Sequence, residues 1–208
     1  MTQHLFCFGF GYTAIKLART LLETRKGWAI SGTSRTTDKN SVAAVHHRLF
    51  DGCSPMAKAP ELLQDVTHLL ISIAPGEAGD RVLTHHRDHI IHMPNLKWIG
   101  YLSTTAVYGD HQGGWVDDDS PASPGTKRGH QRLAAEQSWL DLYKHHGLPV
   151  HLFRLGSIYG PNKGLLDNLL NDRQQKIVKE NQCFSRIHVD DIVQSLIASM
   201  DNPQPGKS

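Results

Sequence analysis

The chain has 208 residues, with 22 Lys and Arg against 20 Asp and Glu, so its formal net charge is only +2 with histidine neutral. That balance excludes a strongly basic nucleic-acid platform, and a hydrophobic share of 39% excludes a disordered or collagen-like chain. No apolar run is long enough to span a bilayer, so no membrane partner is expected, and the length suits one sizeable domain, or one domain with a small annex.

In chain order, Met1 to Phe10 lacks the basic-then-apolar layout of a signal peptide. Within it the apolar run Leu5-Phe6-Cys7-Phe8 predicts a buried strand that stops at Gly9-Phe10-Gly11. Ile15, Ala18 and Leu22 recur at helical spacing from Tyr12 to Leu22, and Gly27 follows where a helix would end. Strands are expected over Trp28 to Thr33, Leu69 to Ala74 and Trp98 to Ser103, with a helix around Arg81 to Met93 between the last two. A helix over Leu133 to Tyr143 and a strand over Pro149 to Leu155 come next. A short strand at Ile187 to Val189 leads into a helix in which Ile192, Leu196 and Met200 share a face, and Asn202-Pro203 stops it. Strands alternating with helices imply parallel βαβ units. Asp110 to Arg128 is a long loop rich in Gly, Pro and Asp, and its acidic run Asp117 to Asp119 reads as a solvated stretch.

Cys7, Cys53 and Cys183 are odd in number and contain no C-x-x-C pair, so neither a disulfide framework nor a zinc site is suggested, and a reducing, cytoplasmic compartment fits. Among the 14 histidines, His85, His89 and His92 share a helical face. No Cys or Glu completes a ligand set there, so the expectation is a solvated face and no metal.

Gly9-Phe10-Gly11-Tyr12-Thr13-Ala14 is G-x-G-x-x-A between a predicted strand and a predicted helix, the context in which this pattern binds a dinucleotide. Gly9 permits the tight turn, Gly11 lets the backbone approach a pyrophosphate, and Ala14 is small enough for close helix–strand packing. The free N–H groups at the helix start then hold the negative charge. No acid stands at the end of the second strand to accept from a ribose 2′-hydroxyl. Ser31-Gly32-Thr33-Ser34-Arg35 offers hydroxyls and an arginine instead, which suits a 2′-phosphate and favours NADP over NAD.

Together with three further segments, the glycine loop resembles the extended short-chain dehydrogenase/reductases, in particular NAD-dependent epimerase/dehydratase-like proteins. These segments are Ser103 to Gly109 (STTAVYG), Arg154 to Pro161 (RLGSIYGP) and His188 to Asp191 (HVDD). The resemblance covers nearly the whole chain. It implies a Rossmann fold, a doubly wound parallel sheet with helices on both faces over residues 1–158. A small substrate lobe over 159–208 would be interleaved with the last Rossmann elements and shorter than the family's. It also implies that Asp51 lies near the adenine and that Ile73-Ala74-Pro75 lines the dinucleotide cleft.

In that family a Ser or Thr polarises the substrate oxygen, which aligns here with Thr104, and a Y-x-x-x-K pair begins the next helix. Here R-L-A-A-E at Arg132 to Glu136 sets the register and places Arg128 at the tyrosine and Arg132 at the lysine. Arginine stays protonated and cannot alternate as an acid/base, though Arg132 keeps donors for a nicotinamide ribose. His130 lies on another helix face. Tyr108 is the better substitute, although a tyrosine in V-Y-G is commonly a packing or substrate-wall residue. Trp115-Val116-Asp117-Asp118 followed by Arg128-Gly129-His130-Gln131-Arg132 is similar to the atypical members that lose the tyrosine. Two readings follow. One is an NAD(P)-binding oxidoreductase acting on a nucleotide sugar or related carbonyl or alcohol compound, as a possible homodimer; the other is a non-catalytic NADP-sensing or ligand-binding protein.

Overall fold

The computed structural model describes residues 2–36, 42, 44–164 and 183–207. Six strands form one parallel sheet: β1 (Gln3–Phe8), β2 (Trp28–Ser34), β3 (Val45–Leu49), β4 (His68–Ile71), β5 (Trp98–Thr104) and β6 (Val150–Leu155), in the order β3-β2-β1-β4-β5-β6. The chain reverses its direction of travel across the sheet between β1 and β4, both parallel neighbours, with Leu5 opposite Ile30 on one side and His68 on the other. Ligands of open α/β sheets bind at the carboxyl ends of the strands beside such a reversal.

Successive side chains of β1 point to opposite faces, and both faces are covered. Phe6 and Phe8 join one core cluster, with Leu69, Tyr101 and residues of α2 (Ala59–Leu63), α3 (Arg81–Ile91) and α4 (Lys127–His146). Leu5 and Cys7 join the other, with Leu70, Trp98 and residues of α1 (Tyr12–Thr24) and α5 (Val189–Asp201). This is the doubly wound architecture expected from the sequence. Burial without a partner charge pushes the Cys7 thiol pKa up, so that cysteine is a core hydrophobe. Trp98 lies across Gly100, where an added Cβ would come within 2.0 Å of the ring, and its indole N–H donates to Ser199 Oγ on α5 at 2.9 Å.

Several boundaries differ from the sequence reading. β4 ends at Ile71 rather than Ala74: Ser72 N–H makes the last bond to β1, to Phe8 O at 2.9 Å, and Ile73 to Pro75 leave the sheet. β3 lies outside the predicted strands: its residues, VHHRL, lack apolar alternation because it is a largely exposed edge strand held by backbone pairing to β2. α4 starts six residues before its apolar periodicity, at a polar first turn capped by Thr126, whose hydroxyl accepts from Gly129 N–H at 3.1 Å. β7 (Ser157–Tyr159) and β8 (Arg186–His188) form a separate parallel pair beyond β6. The outer edge of β6 is met by the C-terminal segment, where Gly206 N–H donates to Val150 O and Leu152 N–H to Lys207 O. Residues 165–182 of the expected substrate lobe lie outside the described residues.

Candidate functional site

The glycine loop is held in shape by the strand beside it. Gly9 N–H donates to Thr33 Oγ1 at 2.9 Å, and Phe10 N–H to Thr33 O at 2.7 Å. Gly9 sits at φ +91°, a region that favours glycine, and an added Cβ would stand 2.9 Å from Ile73 Cγ1. Phe10 turns inward, 5% exposed, with its ring over Gly32 and edge-on to His47 at 5.0 Å. Thr13 and Ala14 are buried beneath the loop.

Gly11 begins α1 with no side-chain cap and no acid in the first turn, and nothing lies within 4 Å of where its Cβ would be. The start of the helix, the positive end of its dipole, therefore has no side-chain cap and leaves room beside Gly11, a fit for a pyrophosphate. Tyr12 reaches over the loop: its hydroxyl donates to Pro161 O at 2.9 Å, and Lys163 Nζ stands 4.9 Å from its ring centre.

The remaining expected cofactor residues lie at the same sheet edge. Ser34 donates to Thr36 O at 2.5 Å, and Arg35 is exposed just beyond β2. Asp51 is exposed after the buried Phe50, with Oδ1 accepting Cys53 N–H at 2.8 Å. Ile73 and Pro75 are half-buried, Ile73 against Gly9, and Ala74 is exposed.

Two strands over from β1, Thr104 ends β5 half-buried, and its Oγ1 accepts Ala106 N–H at 3.3 Å to cap the 3₁₀ turn Thr105–Val107. Tyr108 follows, 5% exposed, and its hydroxyl accepts from Arg154 Nη1 at 3.1 Å. Arg154 also covers the Tyr108 ring at 4.9 Å and grips both Glu136 carboxylate oxygens from α4, the shortest contact being 2.8 Å. Burial opposes the Arg154 charge, but the bonds to Glu136 and Tyr108 outweigh it and hold the guanidinium pKa above its ordinary value. Arg132 turns onto β5, donating from Nη1 to Leu102 O at 2.7 Å and to Tyr101 Oη at 3.3 Å. Burial pushes the Tyr101 phenol up to about 12. Arg128 and His130 are exposed on the first turn of α4, while Gly129 between them is buried, where an added Cβ would stand 2.8 Å from Ala106 O.

Thr104 and Tyr108 share the wall of a cavity of about 1040 Å³ with His111, Thr126, Ser157 and Ser185. The sequence reading missed His111, whose Nε2 lies 3.2 Å from Tyr108 O. It sits in an aperiodic loop, so only that loop's length could have drawn attention to it. In the same loop Asp117 is exposed, and a hydrogen bond from Ser120 at 2.7 Å holds its carboxyl below the usual range. Trp115 is fully exposed beside it.

The H-V-D-D segment serves the fold. His188 Nδ1 accepts Asp190 N–H to cap α5, and Asp190 pairs with Lys16 of α1 at 2.8 Å. Of the histidine face, His85 and His89 are half-buried and His92 is exposed, and among the described residues no cluster of metal-binding side chains exists. Among the described residues no helix is long and apolar enough to cross a membrane.

Residues 80–208 match the model of the NAD dependent epimerase/dehydratase family. No curated protein matches the chain. A functionally unknown conserved protein from Silicibacter pomeroyi is similar, with 45% identity, 99% of this chain and 70% of that chain covered, and a TM-score of 0.86. The Bacillus cereus UDP-glucuronic acid 4-epimerase, solved with UDP-glucuronic acid and NAD, gives 18% identity, 99% and 76% coverage and a TM-score of 0.80. The Bacillus anthracis dTDP-glucose 4,6-dehydratase, solved with NAD, gives 17%, 100% and 74%, and 0.79, a likeness of fold.

Proposed function

From membership of the NAD dependent epimerase/dehydratase family, to which this chain belongs, we propose an NADP-dependent oxidoreductase acting on a nucleotide sugar or a related carbonyl or alcohol compound. The observation that carries the reading is one sheet edge bearing both the uncapped start of α1, with room beside Gly11, and, two strands away, Thr104 at the wall of a large cavity. A structural neighbour solved with UDP-glucuronic acid and NAD supports the choice of substrate class. Arg35, with no acid beside it on Ser31 to Arg35, supports the 2′-phosphate and so NADP. The exposed thiol of Cys53, outside any disulfide, goes with a cytoplasmic setting.

When bound, the nicotinamide would give or take a hydride at the substrate carbon. Gly11 and the first turn of α1 hold the pyrophosphate, with Ser34 and Arg35 at the ribose phosphate, Asp51 at the adenine and Ile73, Ala74 and Pro75 along the wall. Thr104 Oγ1 accepts from the backbone and so keeps its own proton to donate to the substrate oxygen, polarising the reacting C–O bond. The Tyr108 hydroxyl accepts from Arg154, which leaves its proton for donation and sets a cation beside the oxygen that remains. Glu136 shares that cation and tempers the effect. Arg132 engages β5 through Nη1, and its Nε and Nη2 donors serve the nicotinamide ribose.

A second reading, a non-catalytic NADP sensor, is favoured by one observation: the Tyr108 hydroxyl is buried and already engaged by Arg154. Thr104→Ala separates the two. On a panel of nucleotide sugars, followed by cofactor absorbance, the first reading expects turnover to fall about a hundredfold or more. NADPH affinity should stay within about twofold. Wild-type protein that binds NADPH but turns over none of the panel favours the sensor.

A further inference from the structure

α3 begins with an arginine in the wrong place for the helix. Asp80 caps it, with Oδ1 accepting the N–H groups of Val82 and Leu83 at 2.9 and 3.0 Å, and Arg81 follows at once in the first turn. A cation there opposes the helix dipole. The side chain is half-buried rather than solvated. Its stem crosses Gly52, in the loop after β3, where an added Cβ would stand 2.7 Å from Arg81 Cδ. Its guanidinium lies against Gly76, in the loop after β4, where an added Cβ would stand 3.3 Å from Nη2.

Two glycines from two cleft loops thus make room for this one side chain, and Gly52 sits at φ +79°. Among the described residues Arg81 makes no hydrogen bond or ion pair. The acids next in sequence to Gly52, Gly76 and Arg81 make their bonds elsewhere: Asp51 with Cys53 N–H, Glu77 with Lys127, and Asp80 through Oδ1 with its own helix. A partly buried arginine whose guanidinium has no protein partner gains nothing for the fold from its charge. It is also a flat, weakly hydrated cation suited to stacking on an aromatic ring.

We propose that Arg81 walls the adenosine end of the cleft and stacks on the adenine ring of the bound dinucleotide. The inference rests on the dinucleotide-binding reading above and adds a residue that no sequence pattern marks. Adenine is favoured over a phosphate because the guanidinium lies between the loops after β3 and β4. The pyrophosphate belongs at α1 and the ribose phosphate beside Arg35 at the end of β2.

The test is calorimetric titration of the full chain with NADPH, NADH, ADP-ribose and nicotinamide mononucleotide, for wild type, Arg81→Gln and Arg81→Lys, with melting temperatures of the unliganded proteins. Arg81→Gln should weaken NADPH, NADH and ADP-ribose alike by about tenfold, leave the mononucleotide unaffected, and not lower the melting temperature. Arg81→Lys should fail to rescue, because the planar group is what stacks. Unchanged affinities in Arg81→Gln overturn the inference alone. So does a loss confined to NADPH or rescue by lysine, either of which marks a charge contact. A lower melting temperature with unchanged affinity also overturns it and marks a structural prop. Wild type that binds neither dinucleotide overturns the underlying reading and this inference with it.

Discussion

Gly9 and Gly11 stand two residues apart in one loop and are glycines for different reasons. Gly9 has a positive φ and no room for a methyl beside Ile73, so its side-chain hydrogen is a requirement of the fold. Gly11 has an ordinary φ of −99° and open space around it, so nothing in the protein itself requires a glycine there. Gly9→Ala is expected to destabilise the protein by about 1–3 kcal/mol in urea unfolding. Gly11→Ala is expected to change stability by no more than about 1 kcal/mol, a weaker cap set against a stiffer unfolded chain, yet to weaken NADPH binding measurably in calorimetry. A Gly11→Ala protein that binds NADPH as wild type does would remove the reason given for that glycine. Spacing alone located both residues, but only their surroundings separate the two roles. His111 and Arg81 left no such trace, since neither belongs to a repeating pattern.

Between elements, an unequal pair of ion pairs makes the point that burial decides worth. Glu136 of α4 and Arg154 of β6 are almost buried, with side chains 2% and 14% exposed. Removing Glu136 leaves a guanidinium unpaired in the interior, so Glu136→Ala should cost about 3–5 kcal/mol. Arg25 and Asp201 join α1 to α5 through two hydrogen bonds of 2.6 and 2.5 Å, but in solvent. Arg25→Ala should therefore cost under about 1 kcal/mol. Urea midpoints of the two variants, measured at one salt concentration, check the contrast, and equal losses would contradict it. R-L-G-S-I-Y-G-P and H-V-D-D were visible as patterns in the sequence. That Arg154 clamps Tyr108 to α4, and that Asp190 ties α5 to Lys16, required the packed elements.

Across the whole molecule, histidines buried in the core set the pH response. Burial pushes His68 and His86 down to about 4 and lowers His4 and His151 as well. In the unfolded chain these groups take up protons near pH 6.5. Between 6.5 and about 4 the unfolded state therefore binds more protons than the folded one, and stability falls as the pH falls. Each such histidine contributes a slope of up to about 1.4 kcal/mol per pH unit. Urea unfolding at pH 7, 6 and 5 should show the decline, and His86→Gln should flatten it. His86 Nε2 must stay unprotonated to accept Met56 N–H at 3.1 Å. A stability independent of pH over that window would refute the assignment. By itself the sequence determined the strand–helix alternation and the glycine turn between β1 and α1, because these follow from local periodicity and from glycines at fixed spacing, while the doubly wound class came from the resemblance of its motifs to a known family. Only the tertiary structure decided the edge strand β3, the burial of Tyr108 beneath Arg154, and the passage of Arg81 between Gly52 and Gly76. Each of these joins residues far apart in the chain, through backbone pairing or through space that other elements leave, and no local pattern records that.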